Sequence, residues 1–194
     1  MSLKTISNNI AKIITDDLHY NTDDQDIMAY AIEVILMTVS GTILIIAAGY
    51  LTGALVPTMA AAISGGTLRR FSGGAHFNTP LKCLIFGAVV YALLGVLARA
   101  GVSYHLVNQH VLLIIFAVAS LPVIIFAPVD SKAKPIHSMT LRLKLKIFSL
   151  GFIIFTTGAV YFNGHMLINA GAALGTFYQS VTLLPYLNRR RWDN

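Results

Sequence analysis

Long apolar runs separated by short polar stretches make up most of the chain. They fall at about residues 27–48, 50–68, 81–100, 109–128, 147–163 and 166–187, each close to the roughly 20 residues that carry a helix across a bilayer. The pattern predicts an all-α, polytopic membrane protein of about six transmembrane helices forming a single domain, 1–194, without repeats or linkers. The first two runs are the least clean. GYLTG (49–53) reads as a short hairpin and TMAAAISGGTL (58–68) is rich in small residues, so four or five full spans also satisfy the pattern.

Ahead of the first run, residues 1–26 contain no apolar core of the length a signal peptide requires. Leu3, Ile6, Ile10, Ile13, Ile14 and Leu18 recur every three or four positions, with Lys4, Asn8, Lys12 and Asp16 off the stripe. This is the period of an amphipathic helix lying in the membrane interface. Thr22 and Gln25 have capping-box spacing, and Asp23 and Asp24 suit the positive end of the helix that follows.

Composition strengthens the membrane reading: 56% of residues are hydrophobic and 11% charged, and the mean hydropathy is +0.70. A soluble domain needs a surface about a quarter charged. The formal charge of +6 does not point to nucleic acid, because the basic residues abut apolar runs; anionic lipid headgroups are the matching counter-charge. With six spans, thirteen of the 14 Lys and Arg residues fall on one side and only Arg99 on the other. Because basic residues favour the cytoplasmic side, both termini, the segment 69–83 and a basic loop at 130–146 are expected there. His105, His110 and His165 fall near the opposite face. Gly171 and Gly175 form a GxxxG pair that allows close helix approach, within the chain or between two copies.

Candidate chemistry concentrates in RRFSGGAHFNTPLKC, residues 69–83, which holds the only cysteine and a histidine seven positions before it. On one unbroken helix His76 and Cys83 would be about 10.5 Å apart along the axis, too far to share a proton. Gly73, Gly74 and Pro80 are suited to breaking it, with Thr79 as N-cap and proline at the first helical position. Cys83 then lies in the first turn of a helix, where the dipole and nearby cations (Lys82, Arg69, Arg70) favour the thiolate of a nucleophilic cysteine. His76 is placed to act as base and then acid. Backbone amides at Gly73 or Gly74, or the Asn78 side chain, are candidate oxyanion donors. The opposing reading treats both residues as packing. A metal site would lack ligands, a single cysteine allows no intrachain disulfide, and no phosphate loop or cofactor motif is present.

This segment, together with FAPVDSKAKPI (126–136) and FYQSVTLLP (177–185), resembles the AgrB family, membrane cysteine endopeptidases that process the AgrD propeptide in Gram-positive quorum sensing. The resemblance runs along most of the chain. It implies that His76 and Cys83 are the catalytic pair and that Arg69 and Gly74 stand at positions the family needs. Phe71, Ser72 and Phe77 stand where it varies. Tyr30-Ala-Ile-Glu33 is similar to a family pattern that usually has Gly in place of Ala31. Glu33 then either orients His76 or pairs with Arg69; Asp130 and Gln179 are weaker candidates. Lys132, Lys134, Arg142, Lys144 and Lys146 are either a solvated basic loop or a site for the acidic end of such a propeptide, with Gln179 also a candidate substrate contact.

The sequence reading is thus a membrane endopeptidase that cuts a propeptide through an acyl-thioester on Cys83 and supports its closure to a thiolactone or lactone. The expected partners are an AgrD-like propeptide, the lipid bilayer and a second copy of the chain. The rival class is a non-enzymatic transporter or peptide-binding subunit in which the glycine-rich segment is re-entrant and Cys83 only packs.

Overall fold

A computed structural model describes residues 3–18, 21–75, 79–130, 136 and 138–188. The helices are α1 (Leu3–Leu18), α2 (Thr22–Leu51), α3 (Leu55–Ser72), α4 (Pro80–Ser103), α5 (Gln109–Phe126), α6 (Met139–Phe162), α7 (Met166–Val181) and a short α8 (Pro185–Asn188). The described residues contain no strand, only an isolated bridge between Gly73 and Val129. Four helices, within 23–51, 81–103, 109–126 and 139–162, are long and apolar enough to cross a membrane. Their exposed positions carry large apolar side chains such as Ile35, Ile43, Leu93, Leu97, Ile125, Ile154 and Phe155. In water such a surface would aggregate; in lipid it is the expected exterior.

The two remaining predicted runs, α3 and α7, have 18 and 16 residues and pack together at the centre of the bundle. Their contact is made by small residues. A Cβ on Gly171 would overlap the Pro57 carbonyl, and one on Gly175 would overlap that of Ala61. From the other side, a Cβ on Gly65 would come 2.7 Å from the Gly175 carbonyl oxygen. Ser64 Oγ and Thr176 Oγ1 hydrogen-bond across the seam at 2.6 Å. The GxxxG pair therefore packs within the chain. Leu68, Leu112, Phe116, Val123, Ile153, Val160 and Leu183 fill the apolar core around it.

Helices α2 and α4 run parallel. Gly41 faces Leu84 near one end, and at the other Arg99 Nη1 donates to the Gly53 carbonyl at 2.6 Å. The one basic residue expected on the far side thus clips the α2–α3 turn, where Gly53 takes φ +66°. His105, His110 and His165 are exposed at this same far end of the bundle.

Several local expectations change. Asn21, not Thr22, caps α2, its Oδ1 accepting from the Asp24 amide at 2.9 Å, which puts Thr22 inside the helix; Asp23 and Asp24 do occupy the first turn. The amphipathic α1 forms, but it packs on α2 through the buried small residues Ser7, Ala11 and Thr15, leaving Ile10, Ile13 and Ile14 exposed. The basic run belongs to helix from Met139 onward instead of a loop reaching 146. Ser138 caps it, Oγ accepting from the Leu141 amide at 3.4 Å, and alternating Leu, Arg and Lys are good helix formers. Helix α7 ends at Val181, short of the predicted 187, because Pro185, which has no N–H to donate, bars its continuation and instead opens α8.

The backbone-to-backbone approach of α3 and α7 leaves no room for a methyl group. Gly175→Ala should lower the stability of the purified protein by about 1–3 kcal/mol or more, whereas Gly151→Ala, with open space at its Cβ, should stay within about 0.5 kcal/mol. Thermal unfolding in detergent micelles measures both.

Candidate active site

The last turn of α3, the turn after it and the end of α7 converge on one polar cluster. Helix α3 stops because Gly73 takes φ +70° and Gly74 φ +134°, conformations that side-chain-bearing residues avoid. A new helix begins with Thr79 as cap and Pro80 in its first turn, so the chain breaks where the glycines and proline predict. Cys83 sits one turn in, half-buried, its amide donating to Thr79 O at 3.2 Å. His76, Phe77 and Asn78 lie outside the described residues.

The segment between the helices is held from α7. Gln179 is fully buried; its Oε1 accepts from Arg69 Nη1 at 3.3 Å, and its Nε2 donates to Gly73 O at 2.7 Å and Ser72 Oγ at 3.2 Å. Arg69 Nη2 donates to the carbonyl of Ala75, whose amide donates to Thr182 O at 3.3 Å. On the opposite side the Val129 amide donates to Ser72 O at 2.9 Å. Gly73 needs to be glycine because a Cβ there would overlap the Val129 carbonyl; at Gly74 it would lie 2.6 Å from Thr182 Oγ1.

Tyr91 on α4 and Tyr178 on α7 meet edge to face, with ring centroids 6.0 Å apart. The Tyr91 hydroxyl lies 2.9 Å from where a Cβ on Gly65 would stand, so the pair flanks the seam between α3 and α7. Sequence reasoning missed these tyrosines as site residues, along with Thr182. The available signal was Tyr91, a phenol buried in an apolar helix, where a polar group needs a reason to be.

The other candidates fall as follows. The Gly73 amide donates to Arg69 O at 3.0 Å, so it is taken up by the helix end and is not an oxyanion donor in this arrangement. Gln179 presents no surface to a substrate. Glu33 is half-buried on α2 and makes no hydrogen bond or ion pair among the described residues; Arg69 is engaged by Gln179 and Ala75 instead. Asp130 pairs through Oδ2 with Arg142 Nη2 at 2.8 Å, and its Oδ1 is buried without a hydrogen-bond partner among the described residues. Lys132 and Lys134 lie outside the described residues. No group of three or more His, Cys, Asp or Glu suited to a metal occurs among the described residues.

An all-helical bundle with an apolar exterior, carrying its polar cluster where two helices break, is a polytopic membrane protein. The sequence profile of the family Accessory gene regulator B matches residues 7–183. The chain belongs to the AgrB family. It is 25% identical to an AgrB-like protein of Clostridium perfringens strain SM101, an alignment covering 93% of this chain and 91% of the relative. It is also 26% identical to AgrB-like protein 2 of C. perfringens strain 13, over 76% of this chain and 71% of the relative. An AgrB-like protein of Listeria monocytogenes strain HCC23 is 25% identical, over 97% of this chain and 93% of its own length. No solved structure matches significantly.

The crowding at Gly74 is open to a direct check. Gly74→Ala should destabilise the protein by about 1–3 kcal/mol from backbone strain alone, with steric crowding added. Combining it with Thr182→Ala, which removes the nearest atom, should recover only the steric part, as a double-mutant cycle of thermal stability would reveal.

Proposed function

We propose that this protein is a membrane-embedded cysteine endopeptidase that removes the C-terminal tail of a quorum-sensing propeptide and supports closure of the remainder to a thiolactone or lactone. The observation that carries the reading is the half-buried Cys83 in the first turn of α4, directly after a glycine-held break. Membership of the AgrB family supports the substrate class.

In this reading His76 takes the Cys83 proton and Sγ attacks the scissile carbonyl carbon. The C–N bond breaks, and His76 returns the proton to the departing amine. The N-terminal part of the precursor remains as a thioester. A thiol or hydroxyl within that part then attacks the thioester, closing the ring and freeing Cys83. Exchange of one acyl-sulfur bond for another keeps the acyl group activated without ATP. Helices around the cluster would exclude the water that competes with ring closure. Glu33 orients His76, and Asn78 supplies an oxyanion contact.

Arg142 and Lys144 follow the N-terminus of α6, where cations oppose the helix dipole. Arg142 pairs with Asp130 within the chain, whereas Lys144 gains the helix nothing there, which favours an external role for it: holding this end in the cytoplasm and, with Lys132 and Lys134, attracting an acidic precursor tail. The proposed topology has six spans, both termini cytoplasmic and the site facing inward. Two copies would meet through another face, since Gly171 and Gly175 are filled by α3 of the same chain.

With purified protein in liposomes and a synthetic precursor, Cys83→Ala should abolish cleavage. His76→Ala should slow it by roughly 10²- to 10⁴-fold. A precursor lacking its ring-forming nucleophile should leave a hydroxylamine-sensitive adduct on Cys83, visible by intact-protein mass spectrometry. Normal cleavage by Cys83→Ala would refute the enzyme reading and favour a transporter or binding subunit. In intact cells, tags at both termini and near Lys132 should resist protease added outside; digestion there would overturn the topology.

A further inference from the structure

We propose that Gln179 is a positioning residue of this site, a neutral strut through which α7 fixes where the chain enters residue 76. The proposal rests on the peptidase reading. A primary amide carries two N–H donors and one carbonyl acceptor. Here both donors go to Ser72 and Gly73 and the acceptor to Arg69. All three partners lie within five consecutive residues at the end of α3.

Burial makes this arrangement decisive, because an amide with 0% exposure is costly unless its bonds are made. With Arg69 on the Ala75 carbonyl and Thr182 O accepting the Ala75 amide, the peptide groups on either side of Gly74 are held. Cys83, by contrast, is held by the first turn of its own helix, through Thr79. The position of Ala75, the last described residue before His76, is therefore set by α7, a helix that contributes no reacting group. A fully buried amide with both donors and its carbonyl engaged inside the chain also presents no surface to a precursor. Gln179 is thus assigned to geometry and not to substrate contact.

The test uses the full chain in liposomes with a synthetic precursor, plus iodoacetamide, which reads Cys83 alone because the chain has a single cysteine. Gln179→Ala should lower kcat by roughly 10- to 100-fold, the scale of a small misplacement of catalytic groups, with KM changed by less than about threefold. The pH dependence of its alkylation should move toward that of His76→Ala.

Gln179→Glu keeps the shape and carries the test if the alanine variant does not fold. When protonated, its hydroxyl can still donate to Gly73 while its carbonyl accepts from Arg69. When ionised it has no donor. Relative to wild type, its kcat should fall as pH rises, and a flat ratio across pH would overturn the proposal. So would a raised KM with intact kcat, which marks a substrate contact, or lowered stability with an unchanged alkylation profile, which marks a purely structural role. Cleavage by Cys83→Ala would remove the peptidase reading itself; an inactive Cys83→Ala beside wild-type Gln179 variants would remove only the strut.

Discussion

Everything at the polar end depends on how closely the backbones of α3 and α7 approach. Gly171 and Gly175 accept the carbonyls of Pro57 and Ala61 where any side chain would stand in the way, and Gly65 reciprocates. In lipid no hydrophobic force drives helices together, so tight van der Waals contact and interhelical hydrogen bonds must hold them. The Ser64–Thr176 bond adds to that contact in the middle of the seam. One turn beyond it, the same closeness brings the short side chain of Gln179 within 2.7 Å of the Gly73 carbonyl. A wider seam would leave a buried amide and several backbone groups unpaired together.

The rest of the molecule reads as support for this seam. Helix α4 packs against α3, with Gly95 close to Thr58; it carries Cys83 in its first turn and sets Tyr91 against Tyr178 of α7. Phe71 stacks on Phe148 with ring centroids 5.7 Å apart, tying the end of α3 to α6 and so to the basic helix start. At the far end Arg99 holds the α2–α3 turn. Polar side chains thus connect elements at both ends, and the apolar middle is left to small-residue packing inside and large side chains outside.

This division bears on the proposed chemistry. A thioester that must survive until an internal nucleophile reaches it needs a site sheltered from water and a base that does not wander. Two cross-braced helices, with a glycine-held turn pinned between them, meet the second need. The buried partners of residues 72–75 from α7 are a neutral amide and a threonine; the charged member, Arg69, comes from α3 itself and points to a carbonyl.

The amino-acid pattern by itself determined the helical class, the apolar runs, the break at Gly73, Gly74 and Pro80, and the start of a helix just before Cys83. These are local matters: hydropathy over about 20 residues, the left-handed freedom of glycine and the missing N–H of proline act within a few positions of where they are written. The basic run of α6 was misread as loop because charge masks helix propensity in a scan for apolar spans. What only the tertiary structure decided was which residues meet across the chain. Gln179 and Arg69 are 110 positions apart, Tyr91 and Tyr178 lie on different helices, and Val129 reaches Ser72 from a third element. A single glutamine near a helix end carries no sign of its partners. Its role appears only when helix packing brings a carbonyl to it, because hydrogen bonds are specified by distance in space and hydropathy by order in sequence.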